Sequence, residues 1–199
     1  MPKNTFFNLP EDKRQRIINA TMDEFIENSY ENVLISNIAK HANIPVGSFY
    51  QYFHNKDDLY LYLFLEIDLK VVEMCNKEKD SYPELKERKM ADVSQYITPK
   101  EIKFYDTWYS VPDDVMRQFY FGEYDNRLFD LCRPKIEKYR DEGKLIDFVD
   151  IDFVLYFYVT STFNFYMYCK KHKIDDEKER IELKMKFFDK ILLNGILKK

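Results

Sequence analysis

One segment constrains this chain more than any other: Ile-Ser-Asn-Ile-Ala-Lys-His-Ala-Asn-Ile-Pro-Val-Gly-Ser-Phe-Tyr-Gln-Tyr-Phe-His-Asn-Lys-Asp-Asp-Leu, from Ile35 to Leu59. Ile35, Ile38, Ala39 and Ala42 fall at helical spacing and make one apolar stripe. The alanines are small enough to let a second helix cross closely. Asn43 falls where the chain must turn, and Asn tolerates the left-handed backbone better than most residues. Pro45 suits the first turn of a new helix, where N–H groups lack partners anyway. In that helix Phe49 and Phe53, at i and i+4, face a core. Gly47, Ser48, Tyr50, Gln51 and Tyr52 remain for the outside, where short polar and phenolic side chains suit phosphates and base edges. The pattern is a helix-turn-helix.

The surrounding residues carry a resemblance. Arg16-Ile17-Ile18-Asn19-Ala20, then Phe25 and Tyr30, then Ile38-Ala39, Ala42, Ile44, Gly47, Phe49-Tyr50, Tyr52-Phe53, Lys56 and Leu59 stand in one register. From about Arg16 to Leu59 the chain resembles the tetracycline-repressor (TetR) family of bacterial transcription regulators. It departs from that family at Ser29 and Asn43, where Gly is usual. It departs again at Val33 and Leu34, where a capping Ser or Thr is usual; neither residue can accept a capping bond. Ser36 or Asn32 is left to cap that helix. The resemblance implies an all-α fold, with a three-helix DNA-binding domain at residues 1–56 and a helical effector-binding and dimerisation domain at 57–199. It implies a homodimer on a double-stranded DNA operator, and a repressor released by a small-molecule effector. Lys40, Val46, Gly47, Ser48, Tyr50, Gln51, Tyr52, His54 and Lys56 are the candidate DNA-binding residues, with Tyr50 and Lys56 at phosphates and Ser48, Gln51 and Tyr52 nearest base edges.

Charge argues the other way. The formal net charge of the 199 residues is −4. Residues 1–60 hold six Lys/Arg against eight Asp/Glu. Placement decides the matter. Lys40, His41, His54 and Lys56 cluster around the helix-turn-helix. Lys3, Lys13 and Arg14 reach the DNA backbone from an N-terminal arm and first helix. Asp23, Glu24, Glu27 and Glu31 lie further along and are expected to face away.

Pro10-Glu11-Asp12 starts a helix with acids in its first turn, and Ile18, Met22, Phe25 and Ile26 form its apolar face. Residues 1–9 read as a loose arm. A long helix opens at Lys56-Asp57-Asp58 and keeps its period through Leu59, Tyr62, Leu63, Ile67, Val71 and Met74 to about Lys79. Breaks follow at 80–83, Thr98-Pro99, 110–112, 122–126 and Gly143, the last with the composition of a helix C-cap. Four Gly and seven Pro leave little material for hairpins.

From Phe153 to Cys169 seventeen residues carry no charge, and Lys170-Lys171-His172-Lys173 follows. That length is the lower limit for a membrane span. The run holds Thr160, Ser161, Thr162 and Asn164, so a buried helix is expected rather than a membrane segment. The last helix carries a stripe of Ile181, Met185, Phe188, Leu192 and Ile196, wider than one small domain needs. In the family the last two helices pair with their copies, which makes this stripe the candidate dimer interface.

No catalytic constellation stands out: three His lie outside metal-ligand spacing, and no nucleophile elbow or phosphate loop is present. No metal site and no cofactor is expected. Asp57-Asp58, Asp113-Asp114 and Asp175-Asp176 sit where helices begin, which the helix dipole explains. Cys75, Cys132 and Cys169 are odd in number and widely spaced, so free thiols in a reducing cytoplasm are expected. The start, Met-Pro-Lys-Asn-Thr, lacks a charged-then-apolar signal pattern. Sixteen Tyr, seventeen Phe and one Trp are the remaining unusual feature. Tyr105, Trp108, Tyr109, Phe119, Tyr120, Phe157, Tyr158, Phe163 and Tyr166 fall where the family builds its pocket. Rings with a few hydroxyls suit an apolar or amphipathic effector. The alternative is a regulator of the same fold with a filled core, controlled by a protein partner.

Overall fold

The computed structural model describes residues 1–77, 96–122, 125–147, 150–188 and 195, with the side chains of 71–77, 125, 126, 131, 135, 177, 181 and 185 outside it. The helices are α1 (Asn4–Phe7), α2 (Glu11–Glu27), α3 (Ile35–His41), α4 (Val46–Tyr52), α5 (Lys56–Lys77), α6 (Pro99–Asp106), α7 (Asp113–Phe121), α8 (Asp125–Asp141), α9 (Ile151–His172) and α10 (Glu177–Met185). Short 3-10 turns occupy Tyr30–Asn32 and Thr107–Ser110. The described residues are all-α, and none of their helices is long and apolar enough to cross a membrane.

Helix α2 packs on α3, and α3 on α4. Ile17, Phe25, Ile38, Ala39, Ala42, Phe49 and Phe53 fill the space between them, all at 2 % exposure or less. Ile17 takes the centre of the α2 face, with Ile18 only partly buried at its edge. Asn43 has φ 54°, and the Ile44 N–H returns 3.0 Å to the Ala39 carbonyl, so Asn supplies the left-handed residue that closes α3. The same closure recurs after α8, where Gly143 has φ 67° and Lys144 N donates to Tyr139 O at 2.8 Å.

Two local expectations are corrected. Residues 1–9 are not a loose arm: they form α1 and pack on α4, because Phe6 is wholly buried among Tyr52, Phe53 and Tyr62. Neither Ser36 nor Asn32 caps α3. Its N-cap is Leu34, and the missing acceptor comes from α2, where the carboxylate of Glu24 takes Leu34 N–H at 3.2 Å and the Asn37 amide at 3.0 Å. Glu24 is 4 % exposed and so does not face away with its neighbours.

Helix α5 is buried on all sides from Leu59 to Leu65, because the N-terminal helices cover one face and α6, α7 and α8 the other. Helix α2 also touches α6, where Lys100 pairs with Asp23 at 2.7 Å. One apolar core therefore runs unbroken from Phe6 to Tyr166. Thr98 and Glu101 form a capping box at the start of α6, as the Thr98-Pro99 break implies. Helix α9 lies against α7 and α8. Cys169 is buried and Cys132 half-buried; the Cys75 side chain, residues 80–83, Leu192 and Ile196 lie outside the described residues.

Candidate functional site

Two places gather the candidate residues. The first is the outer face of α4. Its inner face, Phe49 with Phe53 just beyond, is fixed in the core, so the helix cannot roll. Val46, Gly47, Tyr50 and Gln51 stand exposed and Ser48 is half-buried. Lys40 and His41 are exposed at the end of α3, and His54 just past α4.

Two candidates sit differently from the rest. The Tyr52 ring is 5 % exposed, between Phe6 and the Lys13 ammonium, which lies 5.6 Å from its centroid. Lys56 Nζ donates to the Tyr30 carbonyl at 2.7 Å and the Glu31 carbonyl at 3.3 Å, with its charge 5.1 Å from the Tyr30 ring centroid. The Tyr30 hydroxyl donates to Asp57 at 2.7 Å, and burial with that carboxylate beside it pushes the phenol far above its ordinary range. Lys56 and Tyr30 thus tie the turn between α2 and α3 to the start of α5.

Most of the acids of residues 1–60 have partners within the protein. Glu11 pairs with Arg14, Asp12 with Arg16 at 2.7 Å, Asp23 with Lys100, and Asp58 with the Met1 amine. Glu24 is buried under α3 and Asp57 accepts from Tyr30. Most of the carboxylates counted against DNA binding are paired or turned inward, while Lys40, His41 and His54 are exposed.

The second place is an aromatic centre between α5, α6, α7 and α9. Trp108 is wholly buried and stacks on Phe64, ring centroids 3.8 Å apart. Phe119, Tyr120 and Tyr166 meet its edges at 5.2, 6.1 and 6.2 Å. Tyr105 stacks on Phe64 at 4.7 Å, Tyr109 meets Tyr166 at 5.1 Å, and Phe163 meets Tyr120 at 5.9 Å. Seven of the nine candidate effector residues are thereby joined through ring contacts. Tyr158 instead packs on Phe188 at 5.2 Å, and Phe157 is 51 % exposed on the outer face of α9 beside Phe153.

Polar atoms interrupt this centre. Asp68, on α5, accepts the Tyr105 hydroxyl at 2.8 Å, and burial raises its carboxyl above the usual range. Burial likewise holds Tyr105, Tyr120 and Tyr166 well above the ordinary phenol value, so all three stay protonated at neutral pH. The Trp108 indole N–H is buried without a hydrogen-bond acceptor among the described residues. Sequence reasoning missed Tyr60, Phe64 and Asp68, which repeat every four residues along α5 and so share one stripe of it.

On its outer face α9 exposes Phe153, Tyr156, Phe157 and Tyr168 at 66, 50, 51 and 49 %. Of the candidate interface residues, Phe188 is buried at 4 % among Phe165, Tyr158 and Phe187; the Ile181 and Met185 side chains lie outside the described residues.

Comparison with known proteins agrees with this geometry. Residues 17–63, from the middle of α2 into α5, match the family described as bacterial regulatory proteins, tetR family. The fatty acid metabolism regulator protein of Bacillus subtilis (strain 168) is 30 % identical over 86 residues, 43 % of this chain. That match spans 44 % of the relative's own length, less than half of it. The solved structure of the transcriptional regulator FadR from Bacillus subtilis, in complex with stearoyl-CoA, is similar at a TM-score of 0.51 and 17 % identity, over 92 % of this chain and 98 % of that one. A TetR-family protein from Vibrio parahaemolyticus is similar at 0.50 and 14 %, over 94 % and 100 %. At such identities the likeness to the two structures speaks for the fold. The helix-turn-helix unit, residues 17–63, thus matches the tetR family of bacterial regulatory proteins in sequence, and the all-α fold is shared along the chain with the two solved structures.

Proposed function

We propose that this protein is a cytoplasmic, homodimeric transcription regulator that reads a double-stranded DNA operator through α4, and a repressor released by an amphipathic effector. The observation that carries the reading is α4 itself. It is a short helix locked by two fully buried phenylalanines, with Val46, Gly47, Ser48, Tyr50 and Gln51 left outward. Such a helix fits the major groove, and Lys40 and His54 beside it fit the flanking phosphates. Tyr52 and Lys56 serve it from behind: Tyr52 as the ring beneath Lys13, Lys56 as the tie between α5 and the turn before α3.

A second copy fits the outer face of α9. Four large aromatic side chains, each about half exposed or more along one helix, make a patch that isolated monomers seldom leave open. A two-fold dimer places two α4 helices on one face of the duplex, one helical turn of DNA apart.

For the effector, the aromatic centre suits an acyl chain. The fatty acid regulator and the stearoyl-CoA complex among the relatives support this class. The rings stand in contact, so an acyl chain enters by parting them, and the buried indole N–H of Trp108 is left to meet an oxygen of the ligand. The same close packing favours the second reading, a regulator with a filled core that answers to a protein partner.

The test selects a binding site from random duplexes, then titrates stearoyl-CoA and free stearate while following Trp108 emission and DNA binding. Quenching or a spectral shift together with at least a tenfold loss of DNA affinity supports the acyl effector. Unchanged emission and affinity favour the second reading. Failure to select any DNA sequence refutes the regulator itself.

A further inference from the structure

Helix α4 ends at Tyr52, and its last carbonyls have no helical partners of their own. The chain leaves in an extended conformation, Phe53 at φ −132° and ψ 155°. The donors come from the N-terminal segment. Lys3 Nζ donates to Tyr50 O at 2.8 Å, Thr5 Oγ1 donates to Gln51 O, and Lys3 N donates to Tyr52 O at 2.8 Å. The ammonium of Lys3 also lies at the negative end of the helix dipole. The segment is pinned on its other side to α5. Phe6 is wholly buried, 4.7 Å from the Phe53 ring and 5.5 Å from the Tyr62 ring, and the Met1 amine pairs with Asp58.

The residues involved give this arrangement its meaning. Tyr50 and Gln51 offer their exposed side chains to DNA and their carbonyls to the clasp. A seven-residue helix is too short to hold its own last turn, so its conformation there depends on partners outside it. We propose that residues 1–8 form a clasp that sets the register of Tyr50 and Gln51 against base edges, with Lys3, Thr5 and Phe6 as positioning residues that need not touch a base. The inference rests on the DNA-reading function proposed above. Phosphate attraction tolerates a loosened register, whereas base contacts do not, so the clasp acts on selectivity more than on affinity for DNA at large.

The test uses the full chain and the duplex selected by the wild type, with a scrambled duplex of equal length at one salt concentration. Thr5→Val removes the hydroxyl at nearly constant shape; Thr5 is exposed, so the core is left intact. Loss of one such hydrogen bond is expected to lower the ratio of selected to scrambled affinity about three- to tenfold. Affinity for the scrambled duplex and the thermal midpoint stay near wild type, and Thr5→Ser restores the ratio. Lys3→Met lowers the ratio in the same way, with a change in salt slope well under the one unit of a phosphate-bound lysine, because its ammonium is held by the Tyr50 carbonyl. A Thr5→Val ratio within twofold of wild type overturns the clasp, as does an equal fall on both duplexes. If the wild type selects no sequence, the DNA-reading function falls and the clasp with it. If it selects one and Thr5→Val reads it equally well, the clasp alone falls.

Discussion

Replacing Glu24 with alanine tests how α3 is held. The carboxylate is 4 % exposed and accepts two bonds, from Leu34 N–H at 3.2 Å and from the Asn37 amide at 3.0 Å. Leu34 is the N-cap of α3 and has no capping side chain of its own, so nothing local replaces the lost acceptor. Hydrogen bonds to a charged group contribute about 1.5–3 kcal/mol each, and one orphaned cap costs about 0.5–2 kcal/mol. Both contacts are long, and Asn37 is half-buried and partly rehydrates, so the lower ends apply. Together they give about 2–3 kcal/mol for Glu24→Ala. At roughly 2–4 °C per kcal/mol for a chain of this size, the midpoint falls by about 4–12 °C. Glu24→Gln keeps an oxygen in place and recovers about half of the loss. The assay is thermal and urea unfolding of the three proteins at pH 7, by circular dichroism. A Glu24→Ala protein within about 0.5 kcal/mol of wild type, the ordinary result for a surface acid, refutes the long-range cap.

Lys56→Ala separates an internal tie from a phosphate contact. It removes donors from the Tyr30 and Glu31 carbonyls, so urea unfolding should show a loss of about 1–2 kcal/mol, while the salt slope of DNA binding falls by well under the one unit expected for a phosphate-bound lysine. Asp68→Asn tests the polar interior of the aromatic centre through pH. A carboxyl with a raised folded-state value holds its proton more tightly when folded, so its contribution is most favourable below its unfolded value, near 3.8, and is lost as pH rises through the folded value. An asparagine amide has no such proton, so the variant should gain stability relative to wild type between pH 4 and pH 7, read from urea midpoints; a constant difference across that window refutes the burial of the charge.

What is legible in the sequence is local. The turn at Asn43, the Pro45 start of α4, the inward Phe49 and Phe53, the break at Thr98-Pro99 and the C-cap at Gly143 all follow from neighbours within four residues. Glu24 is illegible because the N-cap it serves, Leu34, lies ten residues downstream, on another element. Residues 1–9 carry no period of their own; Phe6 orders them only because Phe53 and Tyr62 wait more than forty residues away. The stripe of α5 is visible in Leu59, Tyr62, Leu63 and Ile67. A helix covered on both faces also buries Tyr60, Leu61, Phe64 and Leu65, and one stripe cannot reveal that. The aromatic candidates stand out by their density in the sequence, and α9 shows the limit of density as a guide. Successive residues of a helix point 100° apart, so Phe163 and Tyr166 reach the centre while Phe157, in the same run, shares the outer face with Phe153 and Tyr156.

Tyr60 joins the two places that the proposed function needs. Its ring lies 4.7 Å from Phe25 and 5.2 Å from Tyr30 in the head, and 5.0 Å from Phe104 and 6.1 Å from Trp108 in the body. Its hydroxyl shares a 2.8 Å hydrogen bond with Thr107, in the 3-10 turn that carries Trp108. Densely packed rings respond to an intruder by changing arrangement as a group, because there is little free volume to absorb a small displacement. An acyl chain that parts Trp108 from Phe64 therefore acts on a ring already in contact with α2 and with the turn before α3. The energy required is modest. A tenfold fall in DNA affinity corresponds to about 1.4 kcal/mol of difference between two arrangements of the head, and a ligand supplies it only through unequal affinity for the two. One stacked pair of this centre, lost in one arrangement and kept in the other, is of that order. With Tyr60 packed on both sides, that difference has a physical route from the aromatic centre to α3 and α4.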